Sequence, residues 1–353
     1  MDSVMDDAAV ALLSTAWGLG DVSPKPLPAG HTNSSYLVPT EQGPCIVRVS
    51  WPGKTAEQVH RERQAIRQVR GKQGDIAVPT VIPTREGNDV VRTDEGRWLH
   101  VFERIDGLPG LPQDPDRATT HAMHALARLH AALAPLPCPS ADPLAWLWQR
   151  YERIRAHPAP LLPAIPNAHY DLMLDRAHAW LTAAMTWVRG PIQWLHGDFH
   201  AGNLLFIDHR VCGIVDFDEV GQGASWLEAA FAAFALSRDA ERDDGFHFDD
   251  RRWHQAVLAY AEMIPGADAT WWVRYREALM NLFCLDQVLI HIHAAQRRLW
   301  QPGPGMGFLG CWRALRRQYT LNESQRSTAS TVASRSSAVG EASCRQSTAS
   351  SLR

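Results

Sequence analysis

The sequence of 353 residues has few cysteines, little net charge and no long apolar run, and each absence excludes a class of protein. Its six cysteines are scattered without a Cys-x-x-Cys pair, so we expect free thiols in a reducing compartment rather than a zinc or disulfide framework. No run approaches the roughly 18 apolar residues of a membrane span. A formal net charge of −3 indicates no nucleic-acid partner. We therefore predict a cytoplasmic protein without membrane or nucleic-acid partners.

The N-terminal end also lacks the basic flank of a secretory signal, because it is acidic and the apolar stretch from Ala8 to Leu13 is short. Hydrophobic residues make up 45% and charged residues 21% of the chain, proportions typical of a globular protein. The length is enough for two domains or for one two-lobed unit.

One stretch organises the sequence, running from Trp194 to Phe206, and the residues that end at Asp216 follow it closely. Apolar runs on both sides predict a strand, a loop, a hairpin and a strand with an acidic end. Phosphoryl transfer from metal–ATP needs one carboxylate to accept a proton, and an amide and a second carboxylate to hold Mg²⁺. Asp198, Asn203 and Asp216 supply these groups in the kinase order. Alternatively, they are turn formers and a strand cap.

A predicted strand in the N-terminal third, Cys45–Val49, carries a basic residue, Arg48, between two valines. The helix predicted over Thr55–Arg70 contains Glu62, our candidate partner for Arg48. In a kinase, a strand cation paired with a helix glutamate neutralises the nucleotide phosphates, and arginine can do this with its own geometry. The alternatives are a solvent-facing arginine and a solvated helix face with weak ion pairs.

A glycine-containing turn is predicted before the strand Ser35–Val38. Small and polar residues there, among them Gly30, Asn33 and Ser34, let backbone N–H groups approach phosphate. The turn has no G-x-G-x-x-G pattern, so an ordinary hairpin loop is equally compatible with the local sequence.

Three further strands are predicted before a proline-rich connector, over Ala77–Pro83, Asp89–Arg92 and Arg97–Ile105. The last of them ends at Asp106-Gly107, which marks a boundary between lobes. In the kinase interpretation its final residues, including Glu103 and Ile105, form a hinge that faces the adenine.

The rest of the chain is predicted to be mainly helical, over Arg117–Leu133, Trp146–Ile154, Tyr170–Arg189, Ala229–Leu236, Trp253–Met263 and Trp271–Trp300. The last helix carries Glu277, Asp286, His291 and His293 as candidates to line an acceptor pocket. The acidic segment 239–250 is either a solvated loop or a rim that attracts a cationic substrate.

The residues Leu195–Leu205 and Ile214–Phe217 resemble the aminoglycoside phosphotransferase/choline kinase superfamily. The resemblance extends over roughly Leu27 to Leu236 and includes a similar nucleotide loop at Gly30–Tyr36 and the helix pattern LxxLH at Leu126–His130. It implies an α+β, protein-kinase-like two-lobed fold, with a small antiparallel-sheet N-lobe and a larger, mainly helical C-lobe.

The same resemblance implies roles for individual residues. Asp198 would be the catalytic base, and Asn203 and Asp216 would bind Mg²⁺. Arg48 occupies the strand position where many members have arginine instead of lysine, and Glu62 matches the helix glutamate. The helix that follows Asp216 departs from the family pattern, since it lacks the usual Gly-Pro start and has Glu228 as the substitute for the usual Asp.

The predicted domains are an N-lobe over 1–106, a helical C-lobe with the acceptor site over 107–319, and a disordered tail over 320–353. The tail is rich in Ser, Thr, Ala, Arg and Gln and shows no periodicity.

The sequence therefore predicts a phosphotransferase that moves the γ-phosphate of ATP, with Mg²⁺, to a hydroxyl of an aminoglycoside-like, amino alcohol or homoserine-like acceptor. One alternative is a Ser/Thr protein kinase of the bacterial stress-kinase type, although no A-P-E pattern follows Asp216. The other is a non-catalytic nucleotide-binding module. The acceptor, the choice between ATP and GTP, and the oligomeric state are left open.

Overall fold

The computed structural model describes residues 5–20, 22–27, 33–157, 167–239, 247–297 and 311. Its strands are β1 Lys25–Pro26, β2 Ser34–Val38, β3 Cys45–Val49, β4 Val91–Arg92, β5 Trp98–Glu103, β6 Leu108–Pro109, β7 Ile192–Leu195, β8 Leu204–Ile207, β9 Arg210–Ile214 and β10 Gly221–Ala224. Its helices are α1 Asp7–Leu12, α2 Ala56–Val69, α3 Pro115–Leu133, α4 Ala145–Arg155, α5 Asn167–Ala184, α6 Ser225–Ser237, α7 Asp250–Met263, α8 Ala269–Arg274 and α9 Arg276–Gln296.

The N-terminal lobe is built on an antiparallel sheet in the order β1-β2-β3-β5-β4. Helix α1 continues as a π-helical turn and ends at Gly18, which has a φ of 73°. Valines of β3 and β5 alternate toward this helix and form one core with Leu13 and Trp17. The opposite faces of β3 and β5 place Arg48 beside His100, its direct cross-strand neighbour.

Helix α2 begins at a capping box. The Thr55 hydroxyl accepts from the Gln58 N–H at 3.2 Å, and the Gln58 side chain accepts from the Thr55 N–H at 2.9 Å. Its predicted apolar stripe is buried, including Ile66 and Val69. This packing directs the neighbouring turn, which carries Glu62, into the molecule.

The strand predicted over Ala77–Pro83 is wrong. That segment makes only isolated bridges, Ala77 with Gly213 and Val81 with Phe102. Prolines at 79 and 83 have no N–H to donate to a ladder, which explains why pairing does not spread.

The C-terminal lobe packs α3 against α7 and α6 against α7 and α9. Large aromatic side chains such as Trp253, Tyr260 and Trp272 are fully buried among these helices. Two small antiparallel sheets, β7 with β10 and β6-β8-β9, lie at the side that faces the N-lobe and hold the loops after β7 and β9.

The helix predicted over Trp271–Trp300 is two helices, since α8 ends and α9 begins around Tyr275. In the described residues α9 is the one helix that is long and apolar enough to cross a membrane, with a mean hydropathy of 1.3 over its apolar window. This corrects the sequence-based statement that no run approaches that length. Because 61% of the window is buried in the fold, a core helix explains its composition equally well.

The arrangement is the α+β two-lobed architecture that the sequence predicted. The boundaries at 106/107 and 319/320 stay predictions, and the tail 320–353 lies outside the described residues. The cysteines that the structure describes are all free thiols.

Candidate active site

The loop between β7 and β8 carries two of the predicted catalytic residues. It turns at Gly197, where φ is 83° and an added Cβ would lie 2.0 Å from the Glu219 carbonyl oxygen. Asn203 donates from Nδ2 to the carbonyl oxygen of Asp198 at 2.9 Å and to its Oδ2 at 3.1 Å. The five-residue spacing therefore brings the carboxylate and the amide together, with the Asp198 side chain 35% exposed.

Asp198 is held as a carboxylate. Burial by itself would raise its pKa, but the charge and hydrogen bond of His200 outweigh burial, with help from Arg150, so the pKa lies below its usual range. His200 Nε2 lies 3.4 Å from Asp198 Oδ2. Although burial opposes it, this carboxylate raises the pKa of His200.

Glu228, in the first turn of α6, binds the backbone of the same loop. Its carboxylate accepts from the N–H groups of His196 at 3.2 Å and Gly197 at 2.5 Å, and it lies 2.7 Å from His130 Nε2. His130 in turn contacts the Tyr260 hydroxyl at 2.7 Å through Nδ1. The family's missing aspartate is thus matched by a glutamate that fixes the loop. Of this network the sequence indicated only the position of Glu228 and the LxxLH histidine.

His196 connects the loop that carries Asp198 to the residues that follow β9. Its Nδ1 accepts from the Asp198 N–H at 3.3 Å, so Nε2 carries the proton and donates to the Val215 carbonyl at 3.1 Å. Burial lowers the pKa of His196. These two hydrogen bonds brace the loop.

Asp216 follows β9 in a left-handed conformation with φ of 61°, which aspartate tolerates better than most residues. Its side chain is 34% exposed, and Arg48 Nη1 lies 3.3 Å from its Oδ1. Burial raises the pKa of Asp216 to about 6; Arg48 opposes this rise, while Asp218 and Asp198 add to it. Because burial and two neighbouring carboxylates disfavour its charged form, this carboxylate suits a bound cation.

Arg48 is buried, so the alternative of a solvent-facing side chain is wrong. It contacts Glu62 through Nη2 and stacks 5.2 Å above the Phe102 ring. The predicted pair of strand cation and helix glutamate is therefore present, and its free nitrogen reaches Asp216 across the lobes.

Sequence reasoning missed Lys54 and noted Asp218 only as an acidic residue that follows Asp216. Lys54 lies between β3 and α2 with its side chain 1% exposed, and it contacts both Glu62 and Asp218. A lysine in a Pro-Gly-Lys-Thr turn is typical of a surface position, and no local signal distinguishes this one.

The predicted nucleotide loop is only partly described, because Gly30 lies outside the described residues. Asn33 is buried and its Oδ1 accepts from the Trp51 N–H at 3.2 Å, while Ser34 begins β2. At the predicted hinge Glu103 is the last residue of β5, and Ile105 follows it beside β9. The nucleotide contacts of these four positions stay predictions.

A cavity of about 1200 Å³ opens next to the catalytic loop. Asp198 and His200 form one wall, and α6 and α9 supply Phe231, Asp286 and His291. The pocket joins the loop to the helical region, where a small acceptor can reach the Asp198 carboxylate.

Arg150 of α4 ties this cavity to the catalytic loop. Its guanidinium contacts Asp286, donates to the Gly197 carbonyl at 3.3 Å and lies 3.0 Å from Glu219 Oε2. Burial raises the pKa of Asp286 to about 6 against the opposing charge of Arg150.

Of the other acceptor candidates, Glu277 is exposed, and His293 does not line the cavity. Residues 240–246 of the acidic segment lie outside the described residues. Its flanks do border the cavity, but Asp249 caps α7 and Asp250 pairs with Arg276. At these two positions the acidic residues have structural partners.

Within the described part of the chain, no group of three or more His, Cys, Asp or Glu side chains is placed to hold a metal ion. A Mg²⁺ site in a kinase uses only one or two protein ligands and takes the rest from phosphates and water. Asn203 and Asp216 offer an amide and a carboxylate oxygen, the hard ligands that such a site needs.

An antiparallel N-lobe, a helical C-lobe and a loop carboxylate between them define a kinase-like phosphotransferase. The chain belongs to the phosphotransferase enzyme family, whose family model matches residues 23–265. The resemblance stated from the motifs and the kinase-like fold are both confirmed.

Relatives agree with this assignment. A homoserine kinase of Rhodopseudomonas palustris (strain BisA53) is 26% identical over 224 residues, which are 61% of this chain and 64% of that protein. The match thus spans less than two thirds of that relative's length.

Solved structures share the fold. A microcompartment-associated aminopropanol kinase superposes with a TM-score of 0.62 at 19% identity, covering 90% of this chain and 98% of that one. The GDP and kanamycin complex of APH(2")-IIia gives 0.58 at 15% identity, covering 88% and 98%. Macrolide 2'-phosphotransferase MphH from Brachybacterium faecium gives 0.52 at 17%, covering 86% and 97%.

Proposed function

We propose that this chain transfers the γ-phosphoryl group of ATP to a hydroxyl group of a small molecule. The observation that carries the proposal is the Asp198 carboxylate, which lies at the wall of a 1200 Å³ cavity and is held by Asn203. A general base must be within hydrogen-bond reach of the proton it takes, and a hydroxyl that enters this cavity can meet that condition.

Asp198 orients the acceptor hydroxyl and takes its proton. Its lowered pKa keeps it ionised at neutral pH, as a base requires. General-base catalysis of this kind contributes about 10²- to 10⁴-fold in rate. The loop contacts of Glu228 and His196 hold the carboxylate in place, because they satisfy the backbone on both sides of Gly197.

Asn203 and Asp216 would hold Mg²⁺. Bound there, the ion would supply positive charge against the charge that develops on the phosphates. Arg48 would supply a second positive charge, besides that of Mg²⁺, to the nucleotide phosphates. Glu62 keeps its guanidinium oriented, and Arg48 can exchange its 3.3 Å contact with Asp216 for a phosphate oxygen when the nucleotide binds.

The nucleotide would bind between the two lobes. Backbone N–H groups of Asn33 and Ser34, and of Gly30 as the sequence predicts, would bind the phosphates, and Glu103 and Ile105 would contact the adenine at the hinge. Support comes from the position of β2 and β5 on either side of Arg48 in one sheet.

The acceptor is proposed to be a compact hydroxyl compound that carries an amino group, such as an amino alcohol, a homoserine-like compound or an aminoglycoside. Asp286 and the carboxylates at the cavity rim supply negative charge, while aromatic rings such as Phe231 and Phe248 supply apolar walls. A concave pocket of this size favours a small molecule over the hydroxyl of a folded protein surface.

The test is a coupled ADP-release assay with Mg²⁺–ATP and a panel of amino alcohols, homoserine, aminoglycosides, sugars and a generic protein. We expect turnover with one small-molecule class, and Asp198→Asn should lower kcat at least about 100-fold. ADP affinity measured by calorimetry should change less than about threefold, because Asp198 acts on the acceptor side.

The matched control is Asp208→Asn, an exposed aspartate in the β8–β9 turn with φ of 54°, a conformation that asparagine also tolerates. It should retain wild-type turnover. Full turnover by Asp198→Asn would remove the carboxylate from the mechanism. ADP release with the generic protein alone would contradict the small-molecule acceptor.

A further inference from the structure

Lys54 is a buried lysine that the mechanism above does not use. Its Nζ lies 2.6 Å from Glu62 Oε2 and contacts Asp218 Oδ1, and the side chains of all three residues are at most 6% exposed. A buried ammonium costs several kcal/mol unless carboxylates pair with it. Lys54 therefore has a partner on each lobe of the molecule.

These contacts run parallel to those of Arg48. Glu62 binds Lys54 through Oε2 and Arg48 through Oε1, and the two cations continue to Asp218 and Asp216 respectively. One glutamate of α2 is thus linked by two separate cations to two aspartates of a single turn.

The loop that carries Lys54 is fixed at several points. The Trp51 indole donates to Asp218 Oδ2 at 3.1 Å, and the Trp51 N–H donates to Asn33, a residue of the predicted nucleotide loop. The Trp98 indole donates to the Lys54 carbonyl at 2.8 Å. Lys54 therefore lies in a segment that is held between the predicted nucleotide loop and the turn that carries Asp216 and Asp218.

The two aspartates differ in exposure because of this arrangement. The side chain of Asp218, paired with Lys54, is 6% exposed, whereas that of Asp216 is 34% exposed. Two carboxylates two residues apart could both attract a divalent cation, so neutralising and burying one of them leaves the other as the ligand.

We propose that Lys54 is a positioning residue that draws Asp218 toward Glu62 and so leaves Asp216 and Arg48 directed at the Mg²⁺–nucleotide. This inference rests on the proposed function. It assigns Lys54 no contact with the nucleotide itself, because its charge is already shared between two buried carboxylates.

Calorimetry of ADP binding tests the role, with each titration run once in Mg²⁺ and once in EDTA. Lys54→Met should weaken binding about tenfold or more in Mg²⁺, the typical cost of losing a partner that orients a metal ligand. In EDTA the change should stay below about threefold. Lys72→Met, an exposed lysine in the same lobe, serves as the matched control and should bind like the wild type.

A double-mutant cycle with Asp218→Asn identifies the path of the effect. If Lys54 acts through Asp218, the double variant binds Mg²⁺–ADP no more weakly than Lys54→Met alone. If Lys54→Met does not fold, Asp218→Asn tests the inference alone. This variant should weaken Mg²⁺-dependent ADP binding about threefold or more.

Three results would each overturn the inference. In the first, the losses of ADP affinity in the two single variants add up in the double variant. In the second, Lys54→Met loses equal affinity in Mg²⁺ and in EDTA, and in the third, a folded Asp218→Asn protein binds Mg²⁺–ADP within twofold of the wild type. A wild-type protein that binds no nucleotide in Mg²⁺ would instead contradict the proposed function. The two failures are therefore distinguishable.

Discussion

At the scale of single residues, Arg48 does what a lysine could not do in the same place. Its planar guanidinium contacts Glu62 with one nitrogen and Asp216 with another, while its face stacks on Phe102. An ammonium is a point charge without this fork, so it cannot span the two carboxylates in the same way. The arginine therefore couples the helix glutamate to the proposed metal ligand before any nucleotide binds.

We expect Arg48→Met to weaken Mg²⁺–ADP binding about tenfold or more, roughly 1.4 kcal/mol, measured by isothermal titration calorimetry. The loss follows because the phosphates lose their strand cation and Glu62 keeps only Lys54. The control is Arg92→Met, an exposed arginine of the same sheet that lies over Trp98. Unchanged ADP affinity in a folded Arg48→Met protein would show that this cation does not reach the phosphates.

At the scale of elements, the start of α6 supports the catalytic loop. Both oxygens of Glu228 are used, since they accept from the two loop N–H groups of His196 and Gly197 and lie against His130. Although burial opposes it, the hydrogen bond from His130 lowers the pKa of Glu228 and keeps it ionised. The geometry of the loop therefore depends on a helix that begins about thirty residues later in the chain.

Replacing Glu228 by Gln turns one accepting oxygen into an NH₂ group, which must face a buried donor. We expect the free energy of unfolding in urea to fall by about 2 kcal/mol, within the usual cost of an unsatisfied buried group. The turnover number should fall at least tenfold, while ADP affinity should stay within threefold, because the N-lobe contacts are untouched.

The matched control for that experiment is Glu277→Gln, an exposed glutamate in the first turn of α9. It should be neutral in both assays. If Glu228→Gln kept wild-type turnover, the α6 anchor would not be needed to hold Asp198.

At the scale of the whole molecule, the end of α9 brings cations together with α4. Burial lowers the pKa of His293 to about 4, and the charges of Arg153, Arg297, His157 and Arg150 add to the effect. The folded protein therefore favours the neutral imidazole more strongly than the unfolded chain does. Stability from this residue is complete above pH 6.5, the ordinary histidine pKa, and is lost as the pH falls toward 4.

We expect the wild-type urea midpoint to drop between pH 7 and pH 5, and His293→Gln to reduce that drop, since glutamine takes up no proton. His254→Gln, on the exposed face of α7, should show the wild-type pH dependence. Equal pH dependence in His293→Gln and the wild type would show that other groups govern acid stability.

Much of the candidate site was predictable because its signals are local. Asp198 and Asn203 share one loop and are five residues apart, a separation short enough for them to meet at 3.1 Å. Likewise, the valines around Arg48 indicate β3, and the Thr55 capping box indicates the start of α2. Periodicity and turn chemistry act over a few residues, and a sequence displays them directly.

What the sequence by itself determined is the family, the two-lobed class and the order of the candidate site residues along the chain. Tertiary structure decided the rest: that Lys54 is buried against Asp218, 164 residues away, and that Glu228 meets His130, 98 residues away. The physical reason is that burial and charge pairing depend on which distant elements pack together, and no local pattern encodes that choice.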